Sequence, residues 1–235
     1  MHQLYKKYYI MDDKFVVICA TGRSGSTTML RILNTVPNTN ICGENDGAII
    51  SLLEFYKHIK YTTCTKTLQT YNSTSLEQIV KERRMSPSWY NSYNYNAIVM
   101  SIRYMIINLF KNKPDTNMWG FKEIRFLHRN IETLKELKEL FPQLKVIIHV
   151  KRNIAQQCRS QWKAWNQKDR DTIEKMAKAN NDFFNFYARH RDFCYFSTFE
   201  DMFDMNKLRE IFRFIGCENK FNEQKIKEIL ADNLH

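Results

Sequence analysis

Gly22–Thr28 brings together two glycines, an arginine and four hydroxyl side chains (Gly22, Arg23, Ser24, Gly25, Ser26, Thr27, Thr28). A glycine-bearing turn frees backbone N–H groups, hydroxyls add donors, and a guanidinium adds a permanent planar fork. Together these groups hold phosphate or sulfate. A second pair could do similar work: Arg152, in Lys151–Arg152–Asn153, and Ser160 eight residues on. That gap is about two helical turns, so hydroxyl and guanidinium could share one anion. The plainer reading, a surface arginine and an ordinary helix serine, stays open for the pair alone. The loop alone is not specific either, but it is informative in what it lacks. Its glycines are three apart and no lysine precedes Ser26, so it matches neither G-x-x-x-x-G-K-[ST] nor G-x-G-x-x-G.

Both anion-binding segments follow strand signals. The run Lys14–Ala20 is a continuous apolar, β-branched stretch that reads as a buried parallel strand, and Met29–Leu33 after the loop has helical spacing. Strand, glycine turn and helix start aim N–H groups and the helix dipole at one point. Lys145–Val150 is a second such strand, ending at the Lys151–Arg152 pair, where open α/β sheets bind ligands. Asn40–Cys42, Met118–Phe121 and Phe193–Ser197 complete a set of five predicted strands. Helical patterns separate them: Gly25–Thr35, Asn45–Lys57, Tyr95–Lys111, Asn130–Leu140, Ile154–Asn166, Thr172–His190, Met205–Phe214 and Asn222–Ala231. This alternation predicts a three-layer α/β/α, P-loop-like fold around a mostly parallel sheet of about five strands.

The 235 residues suit one domain, residues 1–235. Residues 61–95 differ in texture, with a threonine-rich start and then Arg83, Arg84, Trp89, Tyr90, Tyr93 and Tyr95 close together; they read as a cap over the ligand face or as a structural excursion. A net charge of +11 favours anionic partners, but the basic residues are interleaved with acids and no nucleic-acid recognition module is visible. The six cysteines stand singly, without metal-ligand or C-x-x-C spacing, which predicts neither a metal site nor a redox pair and suits a reducing, cytoplasmic setting. Met1–Asp13 has no apolar core of signal-peptide or anchor length, so a soluble protein without a membrane span is expected. His149, within a buried strand, reads as a core histidine rather than a catalyst.

The Thr21–Met29 loop resembles the 5′-phosphosulfate-binding loop of sulfotransferases that use 3′-phosphoadenosine 5′-phosphosulfate. Arg152, Asn153 and Ser160 are similar to that family's 3′-phosphate motif. Further matches follow in order. Ile41–Cys42–Gly43–Glu44 resembles the Gly-Glu segment carrying the base in tyrosylprotein and some carbohydrate sulfotransferases, and Trp119–Gly120–Phe121–Lys122–Glu123 resembles their strand-terminal lysine segment. Ser197–Met202 resembles the Y-E-D-L element, with Phe199 in the tyrosine's place, and Ile211–Gly216 the helix ending in F-L-G; Ile154 stands where the family usually has proline. Arg23 replaces the lysine usual in the small-molecule enzymes, which moves the likeness toward the tyrosylprotein and carbohydrate branches.

The resemblance implies transfer of a sulfuryl group from 3′-phosphoadenosine 5′-phosphosulfate to a hydroxyl of a saccharide, a peptide tyrosine or a small molecule, without a metal. Glu44 would be the base, Lys122 and Arg23 would stabilise sulfonate and leaving phosphate, and Arg23 with Ser24–Thr28 would cradle the 5′ end. Arg152 and Ser160 would hold the 3′-phosphate, and residues 61–95 would cap the acceptor side. A carboxylate partly desolvated at the sheet edge is expected to titrate above the usual range, which suits a base. The alternative for Glu44 is an acid near a helix N-terminus, and for Lys122 an exposed lysine paired with Glu123. A kinase-like phosphotransferase and a non-catalytic nucleotide-binding module are the competing functions.

Overall fold

The computed structural model describes residues 13–64, 95–111, 113–165 and 171–232. Five strands form one sheet: β1 (Lys14–Ala20), β2 (Thr39–Cys42), β3 (Met118–Glu123), β4 (Lys145–Val150) and β5 (Cys194–Thr198). Their order is β2-β3-β1-β4-β5, and every neighbouring pair is parallel. Eight α-helices are described: α1 (Ser26–Leu33), α2 (Ala48–Cys64), α3 (Tyr95–Phe110), α4 (Leu134–Leu140), α5 (Ile154–Trp165), α6 (Thr172–Arg189), α7 (Met205–Phe214) and α8 (Glu223–Asp232). None of the described helices is long and apolar enough to cross a membrane.

Side-chain alternation along β1 builds two cores. Phe15, Val17 and Cys19 join Trp119, Phe121, Val146 and Ile148 on one face, under α2, α3, α4 and α6. Val16, Ile18 and Ala20 join Ile147 on the other, under α1, α7 and α8. A strand buried on both faces has no polar side to show, which is why β1 is a continuous apolar run. The result is the three-layer α/β/α arrangement. Phe15 is stacked on Trp119 at 4.1 Å and meets Phe141 edge-on at 4.9 Å, contacts worth about 0.5–1.5 kcal/mol each beyond burial. Gly120 lets β3 lie against β1, since a methyl group there would fall on the Val16 carbonyl oxygen.

Strand limits differ from expectation by a residue or two, and one difference matters. Strand β3 runs on to Glu123, so Lys122 lies within it rather than beyond it. Helix α2 starts at Ala48, after Gly47 turns at φ +78°, and continues to Cys64 into the segment read as a cap. The expected helix over Asn130–Leu140 is instead a 3₁₀ segment, His128–Thr133, leading into α4. The rest of the expected cap, residues 65–94, lies outside the described residues.

Topology places the ligand face. Beyond β1 the chain crosses to β2 and returns with β3 on one side, then places β4 and β5 on the other. The carboxyl end of β1 is therefore the switch point of the sheet, where such folds bind ligands.

Candidate active site

A cleft of about 540 Å³ opens at this switch point. The loop Gly22–Thr28 forms its floor; Glu44, Lys122 and Ile124 form the β2–β3 wall, and Lys151, Ser160 and Phe199 the β4–β5 wall. Its size is that of a typical small-ligand site.

The floor is built by two left-handed residues, Arg23 at φ +60° and Gly25 at φ +83°. For arginine this is an uncommon conformation, of the kind that clusters at functional sites. Gly25 caps α1: its carbonyl accepts from Thr28 N at 2.9 Å and Met29 N at 3.1 Å, so the N–H groups at the start of α1 face the cleft. A Cβ at Gly25 would strike the Phe199 ring, so both conformation and space require glycine. Gln157, fully buried on α5, ties the loop down by donating to Thr21 Oγ1 (2.8 Å) and the Gly22 carbonyl (2.7 Å).

On the β2–β3 wall Lys122 Nζ lies 2.5 Å from Glu44 Oε1, and Arg125 Nη1 lies 3.2 Å from Glu44 Oε2. Glu123, wholly buried, organises this wall. Its Oε2 accepts from Asn45 N and Gly47 N, and its Oε1 from Ile124 N, Arg125 N and Arg125 Nη1. One carboxylate thus fixes the loop that presents Glu44 and the arginine that faces it. Lys122 pairs with Glu44, across the cleft edge, rather than with Glu123. The Glu44 pKa is lowered, not raised as expected from its position at the sheet edge. Partial burial does push it up, but the Lys122 ammonium and Arg125 guanidinium outweigh burial and hold it below the usual carboxylate range. Glu44 is ionised at neutral pH.

On the β4–β5 wall the acids serve the backbone. Glu200 accepts from Arg152 N (3.2 Å) and Asn153 N (3.4 Å), and Asp201 accepts from Thr198 N (2.8 Å) and Arg152 Nη2 (2.7 Å). Lys151 is left facing the cleft, its Nζ 4.1 Å from the centre of the Phe199 ring. Ser160 Oγ accepts from Arg23 Nε at 3.1 Å.

Of the residues expected from sequence, the structure gathers Arg23, Gly25, Ser26, Thr27, Thr28, Glu44, Lys122 and Ser160 around one cleft. Ser24 does not line it; the residue is fully buried behind the loop. Arg152 and Ser160 are engaged with different partners, Asp201 and Arg23, and the Arg152 side chain, 64% exposed, is outside the lining. His149 is buried beside Ser197, and burial pushes its pKa down to about 4, so it is neutral. Three residues of the site were missed: Arg125, Glu123 as an organiser, and Lys151. Lys151 alone left a signal, a cation at the end of a buried strand. Among the described residues no group of three or more His, Cys, Asp or Glu could hold a metal ion.

The cleft thus offers three cations and one carboxylate around exposed helix N–H groups, an arrangement suited to an anionic ligand and to a proton acceptor beside it. The match to a protein family agrees in class. The model of the sulfotransferase family matches residues 16–219. Among solved structures the chain is similar to the sulfotransferase STF9 from Mycobacterium avium, at 12% identity and a TM-score of 0.46, covering 100% of this chain and 73% of that one. No curated protein sequence matches. The family match spans most of the chain and takes in most of β1, the anion loop, Glu44, Lys122 and the β4–β5 wall: the chain belongs to the sulfotransferase family.

Proposed function

We propose that this sulfotransferase takes its sulfuryl group from 3′-phosphoadenosine 5′-phosphosulfate and passes it to a hydroxyl acceptor. The observation that carries the reading is the contact between Glu44 and Lys122 at the rim of a cationic cleft: a base and a charge stabiliser side by side, next to an anion cradle. The residues fit such a donor. Arg23, the N–H groups opening α1 and the hydroxyls of Ser26, Thr27 and Thr28 take the phosphosulfate end. Ser160 takes part in holding the 3′-phosphate, and Arg152 joins it with the guanidinium donors that Asp201 does not use.

In this reading the sulfuryl group lies between Lys122 and the acceptor hydroxyl. The Lys122 ammonium turns from Glu44 to the oxygen bridging sulfur and phosphorus, and stabilises the charge that gathers there as the sulfur–oxygen bond breaks. Glu44, released from that contact, takes the hydroxyl proton as the acceptor oxygen bonds to sulfur. Charge is conserved, the proton ends on Glu44, and 3′-phosphoadenosine 5′-phosphate leaves. The acceptor is a saccharide, a peptide tyrosine or a small phenol or alcohol.

The test is transfer of label from ³⁵S-donor to a panel of saccharides, tyrosine peptides and phenols, with and without chelator. Labelled product in both conditions is expected. Activity that vanishes in chelator, or phosphate moved in place of sulfate, contradicts the reading and favours a kinase-like phosphotransferase. Tight binding of 3′-phosphoadenosine 5′-phosphate with no transfer to any acceptor favours a binding module.

A further inference from the structure

Lys151 stands out among the charged side chains of the molecule. The residue is only 7% exposed, it lines the cleft, and among the described residues no carboxylate lies within ion-pairing distance of it. Two acids of this wall are engaged elsewhere: Glu200 accepts from the Arg152 and Asn153 N–H groups, and Asp201 from Arg152 and Thr198. What holds the ammonium is the Phe199 face at 4.1 Å, which steadies a cation without neutralising it. Burial pushes its pKa below the usual lysine value, and Arg23 adds to that, with Glu200 opposing. A buried ammonium without an ion-pair partner is costly and is relieved by an incoming anion.

We propose that Lys151 is a binding residue for the ribose phosphate of the donor, joining Ser160 and Arg152 in the anion site on the β4–β5 wall. The assignment rests on the donor reading above. If the sulfuryl end lies at Glu44 and Lys122, on the far side of the loop, the opposite end of the same molecule reaches the Lys151 wall. A phosphomonoester carries about 1.5–2 negative charges near neutral pH, more than Arg152 can neutralise while it is also paired with Asp201. Lys151 supplies the missing charge from a fixed position, and the aromatic ring at position 199 sets that position.

The test is isothermal titration of two nucleotides that differ only in this group, 3′-phosphoadenosine 5′-phosphate and adenosine 5′-monophosphate. Lys151→Met is expected to weaken the first by about tenfold or more, the loss typical of a charge-assisted contact, and the second by less than about threefold. Lys151→Arg, which keeps the charge, should retain most of the difference. If the methionine variant does not fold, Lys151→Gln carries the same comparison, with unchanged monophosphate binding as its folding control. Equal losses for both nucleotides, or no loss, overturn the assignment. A wild type that binds neither nucleotide overturns the donor reading and Lys151 with it. A wild type that binds both but transfers nothing overturns only the transfer, and leaves Lys151 to be judged on the titrations.

Discussion

The two walls of the cleft handle charge in opposite ways. On the β2–β3 wall every charge has a counter-charge: Lys122 and Arg125 meet Glu44, and Arg125 also meets Asp46 and buried Glu123. On the β4–β5 wall the acids are drawn off to backbone N–H groups and to Arg152, and Lys151 rests on a ring instead of a carboxylate. A compensated pair can be rearranged at small cost when a ligand arrives, which suits groups that must exchange a proton or shift charge during a reaction. A cation without an ion-pair partner is poised for an anion that arrives and stays put. In this account the first wall performs the chemistry and the second holds the donor.

The contrast can be broken or sharpened by mutation. Replacing the base, Glu44→Gln, is expected to lower turnover by about 10²–10⁴-fold. Binding of 3′-phosphoadenosine 5′-phosphate should hold or tighten, because Lys122 loses its carboxylate. Lys122→Met is expected to cost about 10²–10³-fold in turnover, the usual loss for one preorganised donor; an effect confined to KM would move Lys122 from the chemistry to simple binding. Arg125→Gln tests the sign of the electrostatics. Arg125 lowers the Glu44 pKa, so its loss must raise it, and the acid limb of the kcat/KM profile must move to higher pH. A profile that stays in place would separate Glu44 from that limb. The smallest effect is expected between the walls, at the loop itself. Gly25→Ala forces a left-handed alanine against Phe199, a backbone cost of about 1–2 kcal/mol, read as a fall in Tm with weaker donor binding. An unchanged Tm would mean that the loop relaxes freely.

The same comparison shows what was legible in the amino-acid sequence. Strands buried on both faces declare themselves: Lys14–Ala20 and Lys145–Val150 have the limits their apolar runs suggest. The anion loop, Glu44 and Lys122 lie in short segments that carry their own pattern. What remained hidden depends on strand register. Cys42 lies beside Phe121, and that pairing brings Glu44 to residues about 80 positions away, so neither Arg125 nor the role of Glu123 could be inferred locally. The Glu44 pKa had the wrong expected sign for the same reason. Desolvation can be guessed from position at a sheet edge, whereas the cations that overrule it come from another strand. Of the adjacent cations Lys151 and Arg152, the resemblance singled out Arg152, and the fold turns Lys151 into the cleft while Asp201 engages its neighbour.

The central claim is that chemistry and donor holding reside on different walls, and one paired measurement tests it most directly. Single-turnover ³⁵S transfer and the Kd for 3′-phosphoadenosine 5′-phosphate are determined side by side for Glu44→Gln and Lys151→Met. The account predicts a crossed result: in Glu44→Gln the loss of rate far exceeds the loss of affinity, and in Lys151→Met the loss of affinity exceeds the loss of rate. Rate and affinity falling together in both variants would contradict the division.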